Sequence, residues 1–108
     1  MIKRLSVIIK PVIICIFLAL NHTTYGANKT PPSILVLGDS LSGSWGINTS
    51  EGWVALLQQR IATAGYAYQV INASVSGDTT RTGLGRIDEA LDEHKPSIVI
   101  IALGGNDG

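Results

Sequence analysis

The sequence predicts an α/β protein built around a parallel sheet, and two observations lead to this prediction. Short runs of apolar, β-branched or aromatic residues that stop at glycine-rich turns are typical of buried strands. Three such runs are visible: Ile34 to Leu37, Tyr66 to Asn72 and Ser97 to Leu103. Stretches with apolar residues at helical spacing separate them, and a strand–helix–strand order indicates parallel strands joined by right-handed crossovers.

The length and composition exclude several classes of function. The chain has 108 residues, a length typical of one domain, and no formal net charge. This balance gives no indication of a nucleic-acid partner or an acidic tail. The sequence shows no cluster of metal-ligand residues, and we expect neither a metal nor an organic cofactor.

The amino-terminal residues differ from the rest and predict a secretory signal peptide over residues 1–27. A basic start, Met1 to Arg4, precedes an apolar segment. Its uninterrupted part, Val12 to Leu20, is shorter than the ~20 residues that span a bilayer. Small residues such as Gly26 and Ala27 follow, as expected near a cleavage site, and an uncleaved membrane anchor is the alternative. Cleavage would leave a secreted chain with no stable membrane span.

Cleavage would also change the chemistry of the chain. Cys15 and three basic residues would leave with the signal, so the mature part would hold no cysteine and a net charge of about −3. A disulfide, a thiol nucleophile and a cysteine-based metal site would then all be excluded. Residues 28–32, which include Pro31 and Pro32, are expected to be a flexible lead-in to a domain that begins at residue 33.

The first helix is predicted to begin at Asn48, because this side chain can cap a helix when Glu51 follows three positions later. Gly65 fits the position just past the helix. Five residues at helical spacing are expected to face the core: Trp53, Leu56, Leu57, Ile61 and Ala64. The second strand is then predicted over Tyr66 to Asn72.

The second helix is predicted over Thr79 to Lys95, with Pro96 ending it and Asp78 available as its cap. Four residues are expected to face inward: Leu84, Ile87, Ala90 and Leu91. The charged residues between them are expected to be solvated: Arg86, Asp88, Glu89, Asp92 and Glu93. His94 is interpreted as a surface residue suited to the negative end of a helix, not as a catalytic group.

The third strand, Ser97 to Leu103, is an apolar run typical of a strand covered on both faces. Only Gly104 to Gly108 follow it in the sequence, and these residues are too few to cover it. The ~80 residues left after signal cleavage could bury only a modest core. We therefore expect residues 33–108 to be the amino-terminal part of a longer domain.

Three loops follow the predicted strands and therefore gather at one edge of a parallel sheet. The hydroxyl of Ser40 can attack a carbonyl if a base takes its proton. The oxyanion that forms needs preset donors, and the backbone N–H groups of Ser40 and Gly77 and the side-chain amide of Asn106 can supply them. The alternative for Ser40 is a turn serine that caps the next helix. Asp39 and Asp107 are expected to organise their turns.

Each loop carries a sequence motif: Ile34-Leu-Val-Leu-Gly-Asp-Ser-Leu-Ser, Val70-Ile-Asn-Ala-Ser-Val-Ser-Gly-Asp-Thr79 and Leu103-Gly-Gly-Asn-Asp-Gly108. With these motifs the chain resembles the SGNH hydrolase superfamily, also called GDSL esterases. Within it, the chain is most similar to the bacterial periplasmic thioesterase/lysophospholipase/arylesterase group. The resemblance covers about residues 33–108, and three motifs in order, each after a predicted strand, make it specific.

The resemblance implies a three-layer α/β/α sandwich with a parallel sheet, the flavodoxin-like fold of SGNH hydrolases, here truncated after the third strand. It also implies that Ser40 is the nucleophile and that Gly77 and Asn106 donate to the oxyanion. The family's Asp-x-x-His motif, which supplies the base, has no counterpart in this sequence, since neither His22 nor His94 matches it.

The sequence therefore predicts a secreted, periplasmic serine ester hydrolase whose partner is a small-molecule acyl ester or thioester. Two alternatives stay open. One is a carbohydrate acetylesterase of the same superfamily. Hydrolysis profiles on acyl thioesters, lysophospholipids and acetylated sugars would distinguish it from the predicted enzyme. The other is an inactive remnant or a binding module without the Asp-x-x-His segment, which the genetic sequence beyond Gly108 would separate.

Overall fold

A computed structural model describes residues 29–108 of the chain. The predicted signal peptide, residues 1–27, lies outside the described residues. The described part contains a 3-10 turn at Thr49–Glu51 and five longer elements: β1 (Ser33–Gly38), α1 (Trp53–Thr63), β2 (Gln69–Asn72), α2 (Thr80–His94) and β3 (Ile98–Ala102). Within it, no helix combines the length and the apolar character needed to cross a membrane.

The three strands form one parallel sheet in the order β2-β1-β3, with Val36 of β1 opposite Asn72 on one side and Ile100 on the other. The chain moves outward from β1 to β2 and then crosses back over β1 to β3. Two right-handed crossovers in opposite directions place α1 and α2 on opposite faces of the sheet. Every residue of β1 is buried, as expected for a central strand covered on both faces. The predicted α/β fold with a parallel sheet is confirmed.

The predicted start of the first helix at Asn48 is wrong, because α1 begins five residues later. The side chain of Asn48 instead accepts from the backbone N–H of Ser50 at 3.3 Å and caps the 3-10 turn. Gly52 then adopts an extended conformation and is the N-cap of α1. A Cβ at position 52 would overlap the hydroxyl of Ser44, so the chain makes this bend at a glycine.

The predicted core face of α1 is partly wrong. Three of its members are exposed: Trp53, Leu56 and Ala64. Val54 is the buried residue of the helix, while Leu57 and Ile61 are half-buried as that prediction requires. The helix is therefore turned so that Val54, rather than Trp53, points at the sheet.

Hydrogen bonds of Gln58 with Tyr68, just before β2, and with Val70 of β2 help to fix this rotation. Gln58 donates from Nε2 to the carbonyl of Tyr68 at 3.1 Å, and its Oε1 accepts from the backbone N–H of Val70 at 2.7 Å. A side-chain amide satisfies backbone groups that would otherwise be unpaired near the edge of the sheet. Gln58 lies four positions after Val54, so both residues occupy one face of α1.

Gly65 lies just past the end of α1, as predicted, but β2 begins later than the predicted start at Tyr66. Gly65 has a φ of 85° and donates to the carbonyl of Ala62, while Tyr66 donates to Ile61. This pair of bonds is a Schellman motif, in which glycine takes the left-handed conformation at low cost. Because Tyr66 completes the motif, the ladder of β2 begins only at Gln69.

The second helix lies close to its predicted bounds, but its cap and one inward residue differ. Thr79 is the N-cap and forms a capping box with Thr82, so the predicted capping by Asp78 is wrong. Leu84 is 74% exposed, contrary to the prediction. The buried residues of α2 are Gly83 and Ala90, because the helix backbone approaches the sheet at the glycine.

The third strand is partly exposed within residues 29–108, as expected from the few residues that follow it in the sequence. Ile98, Val99 and Ile101 have exposures of 43%, 36% and 60%. β3 lies at the edge of the described sheet, where it pairs with β1 on one side. The apolar run indicates that this strand favours a buried position. Its place at the edge of the described sheet nevertheless leaves several of its side chains exposed.

Gly38, at the end of β1, gives a test of packing by substitution. A Cβ there would lie 2.5 Å from Oγ and 2.7 Å from Cβ of Ser42, so Gly38→Ala should destabilise the fold by about 1–3 kcal/mol through overpacking. Gly85 on α2 is the matched control, because a Cβ there meets no atom of residues 29–108 within 4 Å. Gly85→Ala should stabilise the helix by about 0.5–1 kcal/mol. Urea unfolding of the natural protein that contains this sequence measures both changes, and equal effects would contradict the packing argument.

Candidate active site

The loops that follow the three strands lie at the carboxyl edge of the sheet. We call residues 39–47 the first loop, residues 73–79 the second loop and residues 103–108 the third loop. The backbone N–H of Val75 donates to the carbonyl of Gly38 at 3.0 Å, which continues the pairing of β1 and β2 beyond the strands. The first and second loops are therefore held side by side.

The third loop contacts both of the others. Asn106 donates from Nδ2 to the backbone carbonyl of Asp78 at 2.8 Å, which joins it to the second loop. A Cβ at Gly105 would lie 3.6 Å from Oδ2 of Asp39, so the third loop also packs against the first. The three loops that the sequence places at one edge thus form one contiguous surface.

Ser40 follows β1 by two residues and is half-buried. Its carbonyl accepts from the backbone N–H of Trp45 at 3.0 Å, while its Oγ makes no hydrogen bond within residues 29–108. The next helix begins at Trp53 with Gly52 as N-cap, so Ser40 does not cap it. Asp39 accepts from Leu41 N–H at 3.0 Å, which agrees with its predicted role in the turn.

Gly77 lies in a turn closed by a hydrogen bond from the N–H of Asp78 to the carbonyl of Val75 at 3.2 Å. Its φ of 85° is suited to glycine at the third position of a type II turn. A Cβ at this position would meet nothing within 4 Å among the described residues, so the backbone conformation and not crowding by the protein favours glycine. The N–H groups of Gly77 and Ser40 donate no hydrogen bond in the described part of the chain.

Asn106 has two amide hydrogens, and the bond to Asp78 uses one of them. The side chain is therefore held in one orientation while its second hydrogen stays available. Asp107, expected to organise its own turn, instead reaches α2. Its carboxylate accepts from the N–H and the hydroxyl of Thr80, both at 2.8 Å, so it anchors the third loop at the start of that helix.

Two residues of this region were missed by the sequence reasoning. Arg86 was predicted to be solvated, and this is wrong, because its side chain is 25% exposed and forms an ion pair with Asp78. The helical spacing could have indicated burial of Arg86, because residue 86 lies on the same helix face as residues 83 and 90. Gly83 and Ala90 are both buried. Asn72, at the end of β2, was assigned no structural role.

The amide of Asn72 joins the first and second loops. Its Nδ2 donates to the carbonyl of Ser42 at 2.8 Å, and its Oδ1 accepts from the backbone N–H of Ser74 at 3.1 Å. Ser42 also accepts, through Oγ, from the indole N–H of Trp53 at 3.2 Å. Side chains from β2 and α1 thus hold the first loop in place behind Ser40.

His94 is the last residue of α2, and it lies at the opposite edge of the sheet from Ser40. It lines a cavity together with Ser33 and Ser97, which lie at the amino ends of β1 and β3. The side chain is 3.8 Å from the carboxylate of Glu93 and is 27% exposed. This position agrees with the interpretation of His94 as a helix-end residue, and it is too distant to serve as a base for Ser40.

Comparison with known protein families identifies the family of this chain. The model of the GDSL-like lipase/acylhydrolase family matches residues 36–108, which include all three loops. The chain belongs to this family. The resemblance to SGNH hydrolases, drawn above from the three motifs, is confirmed.

The chain is also similar to individual characterised proteins. The chain is 58% identical over 76 residues to esterase TesA of Pseudomonas aeruginosa, covering 70% of this chain and 38% of that protein. It is 43% identical over 92 residues to thioesterase 1/protease 1/lysophospholipase L1 of Escherichia coli K12, covering 85% and 42%. The crystal structure of TesA superimposes with a TM-score of 0.69 at 57% identity, covering 69% and 42%. The chain thus spans about two fifths of the length of these relatives.

Proposed function

We propose that the natural protein containing this sequence is a secreted, periplasmic serine hydrolase of acyl esters and thioesters. One observation carries the proposal: at one edge of the sheet lie a serine hydroxyl and two backbone N–H groups that have no partner within residues 29–108, together with an oriented amide. These are the groups that acyl transfer requires, a nucleophile and donors to the oxyanion. The names of its relatives, an esterase and a thioesterase/lysophospholipase, support the substrate class.

In the proposed mechanism, Oγ of Ser40 attacks the carbonyl carbon and a base takes its proton. The carbonyl oxygen becomes an oxyanion that accepts from the N–H of Ser40, the N–H of Gly77 and the free Nδ2 hydrogen of Asn106. The intermediate collapses, the base returns the proton to the departing alcohol or thiol, and an acyl ester of Ser40 remains. Water then attacks this ester by the same route and releases the acid.

The proposed base is a histidine that an aspartate orients, as in the Asp-x-x-His motif of the family. His94 lies at the wrong edge of the sheet, so the base must come from a segment other than residues 29–108. The proposed reaction uses no metal and no organic cofactor. The proposed localisation depends on the predicted signal peptide, residues 1–27, and amino-terminal sequencing of the mature protein tests it.

A substrate panel tests the proposed function. The purified natural protein should hydrolyse p-nitrophenyl octanoate, palmitoyl-CoA and a lysophosphatidylcholine, and a fluorophosphonate should label it at Ser40. Hydrolysis of acetylated xylan alone would favour the carbohydrate acetylesterase alternative. If a folded sample shows neither hydrolysis nor labelling, the proposal is overturned and the remnant or binding module is favoured.

A further inference from the structure

We propose that Arg86 is a positioning residue that sets the geometry of the oxyanion donors from beneath the loops. The inference depends on the proposed hydrolase function and goes beyond it, because it gives a role to a residue outside the three motifs. Arg86 touches none of the proposed reacting atoms. Its guanidinium instead binds groups adjacent to the residues that supply the donors.

The guanidinium of Arg86 donates in three directions. Nε donates to Oδ2 of Asp78 at 2.7 Å, Nη1 donates to the carbonyl of Ala73 at 2.6 Å, and Nη2 lies 3.4 Å from the carbonyl of Gly38. Nη2 also lies 2.6 Å from Oδ2 of Asp78, so the carboxylate is held by two nitrogens. A planar fork with five N–H donors can make this set of contacts at once.

Asp78 connects Arg86 to the third loop through hydrogen bonds. Its carboxylate accepts from Arg86 and, through Oδ1, from the hydroxyl of Thr82 at 3.0 Å. Its backbone carbonyl accepts from Nδ2 of Asn106 at 2.8 Å. Asp78 is buried, with 8% of its surface exposed, so removal of these partners would leave a buried carboxylate uncompensated.

Each proposed oxyanion donor is therefore close to a group that Arg86 fixes, directly or through Asp78. Gly38 precedes Ser40 by two residues, and Asp78 follows Gly77 directly. Asn106 takes its orientation from the carbonyl of Asp78. Donors to an oxyanion stabilise it best when they are already in place, and small displacements have large effects on rate.

Lysine at position 86 is expected to be an inadequate substitute. An ammonium group is a single point charge and cannot hold a carboxylate with two nitrogens while also reaching the carbonyls of Ala73 and Gly38. Arg86→Lys keeps the charge near Asp78 and so limits the loss of stability. It removes the planar geometry on which the proposed positioning depends.

The test compares Arg86→Lys and Arg86→Ala with the same substitutions at Arg60. Arg60 is exposed in the last turn of α1, at the far edge of the sheet, so its variants should behave as wild type. We expect Arg86→Lys, in the natural protein, to lower kcat for p-nitrophenyl octanoate by about 10²-fold, with KM changed less than about threefold. The Ki of octylboronic acid should rise by a similar factor, because its tetrahedral adduct with Ser40 places an oxygen in the oxyanion site.

The outcomes separate the two proposals. A merely structural role would lower Tm without changing kcat or the boronic acid Ki of the folded enzyme, and that result overturns the inference. If Arg86→Ala fails to fold, Arg86→Lys alone decides, since its folded fraction can be titrated with the fluorophosphonate. A wild-type protein that hydrolyses nothing overturns the proposed function, whereas an active wild type with a fully active Arg86→Lys variant overturns the inference only.

Discussion

The Ser40→Ala variant of the natural protein is expected to lose hydrolysis of every acyl substrate, with kcat lower by on the order of 10⁴- to 10⁶-fold. The loss follows because Ser40 supplies the proposed nucleophile, whereas the Oγ of Ser74, which also lacks a hydrogen-bond partner among the described residues, is buried. Steady-state rates on p-nitrophenyl octanoate and palmitoyl-CoA measure the change.

Ser50→Ala is the matched control for this variant. Ser50 is exposed in the 3-10 turn, and its side chain makes no hydrogen bond within residues 29–108. The control should keep full activity and full fluorophosphonate labelling, while Ser40→Ala should lose both and keep its circular dichroism spectrum. A folded Ser40→Ala protein that still turns over at a tenth of the wild-type rate would show that another residue is the nucleophile.

The Asn106→Ala variant is expected to lower kcat by about 10²- to 10³-fold, the usual cost of one oxyanion donor, with little change in KM. Asn106→Asp should be at least as severe, because it keeps the shape and replaces the donor by an anion. That carboxylate would face the backbone carbonyl of Asp78, which now accepts at 2.8 Å, as well as the developing oxyanion. Initial rates at saturating and at low substrate separate kcat from KM.

Asn48→Ala is the control for the two Asn106 variants. Its side chain caps the 3-10 turn through Ser50, and this turn is not part of the three loops. We expect a small loss of stability, of about 0.5–2 kcal/mol at most for a helix cap, and unchanged kcat. Unchanged turnover in Asn106→Ala would remove Asn106 from the proposed mechanism, even if the fold were destabilised.

The strands and the positions of the three loops could be predicted because their signals are local. The run from Ile34 to Leu37 stops at Gly38, and this pattern indicates a buried strand followed by a turn. A parallel sheet then brings Ser40 and Asn106 to one edge without further information. The end of α1 at Gly65 was predictable for the same reason, since a Schellman motif involves only neighbouring residues.

Two of the predictions that failed, the core face of α1 and the solvation of Arg86, concern contacts between distant residues. The face that α1 presents is set in part by Gln58, whose partners in the strand region lie 10 and 12 residues away. The role of Arg86 depends on the carbonyls of Ala73 and Gly38, which lie 13 and 48 residues from it in sequence. A charged residue on a helix is usually solvated, and only the folded chain shows the backbone acceptors that make this one an exception.

The sequence by itself determined the fold class, the order of strands and helices, and the residues that lie where the strands end. Periodicity, turn chemistry and the rule for right-handed crossovers are enough for this, because each depends on short stretches of chain. Only the tertiary structure decided which side chains hold the loops together: Asn72 across the first two, Asp107 on α2, and Arg86 on Asp78. Those bonds form between segments that the β2-β1-β3 order brings together, so no local pattern encodes them.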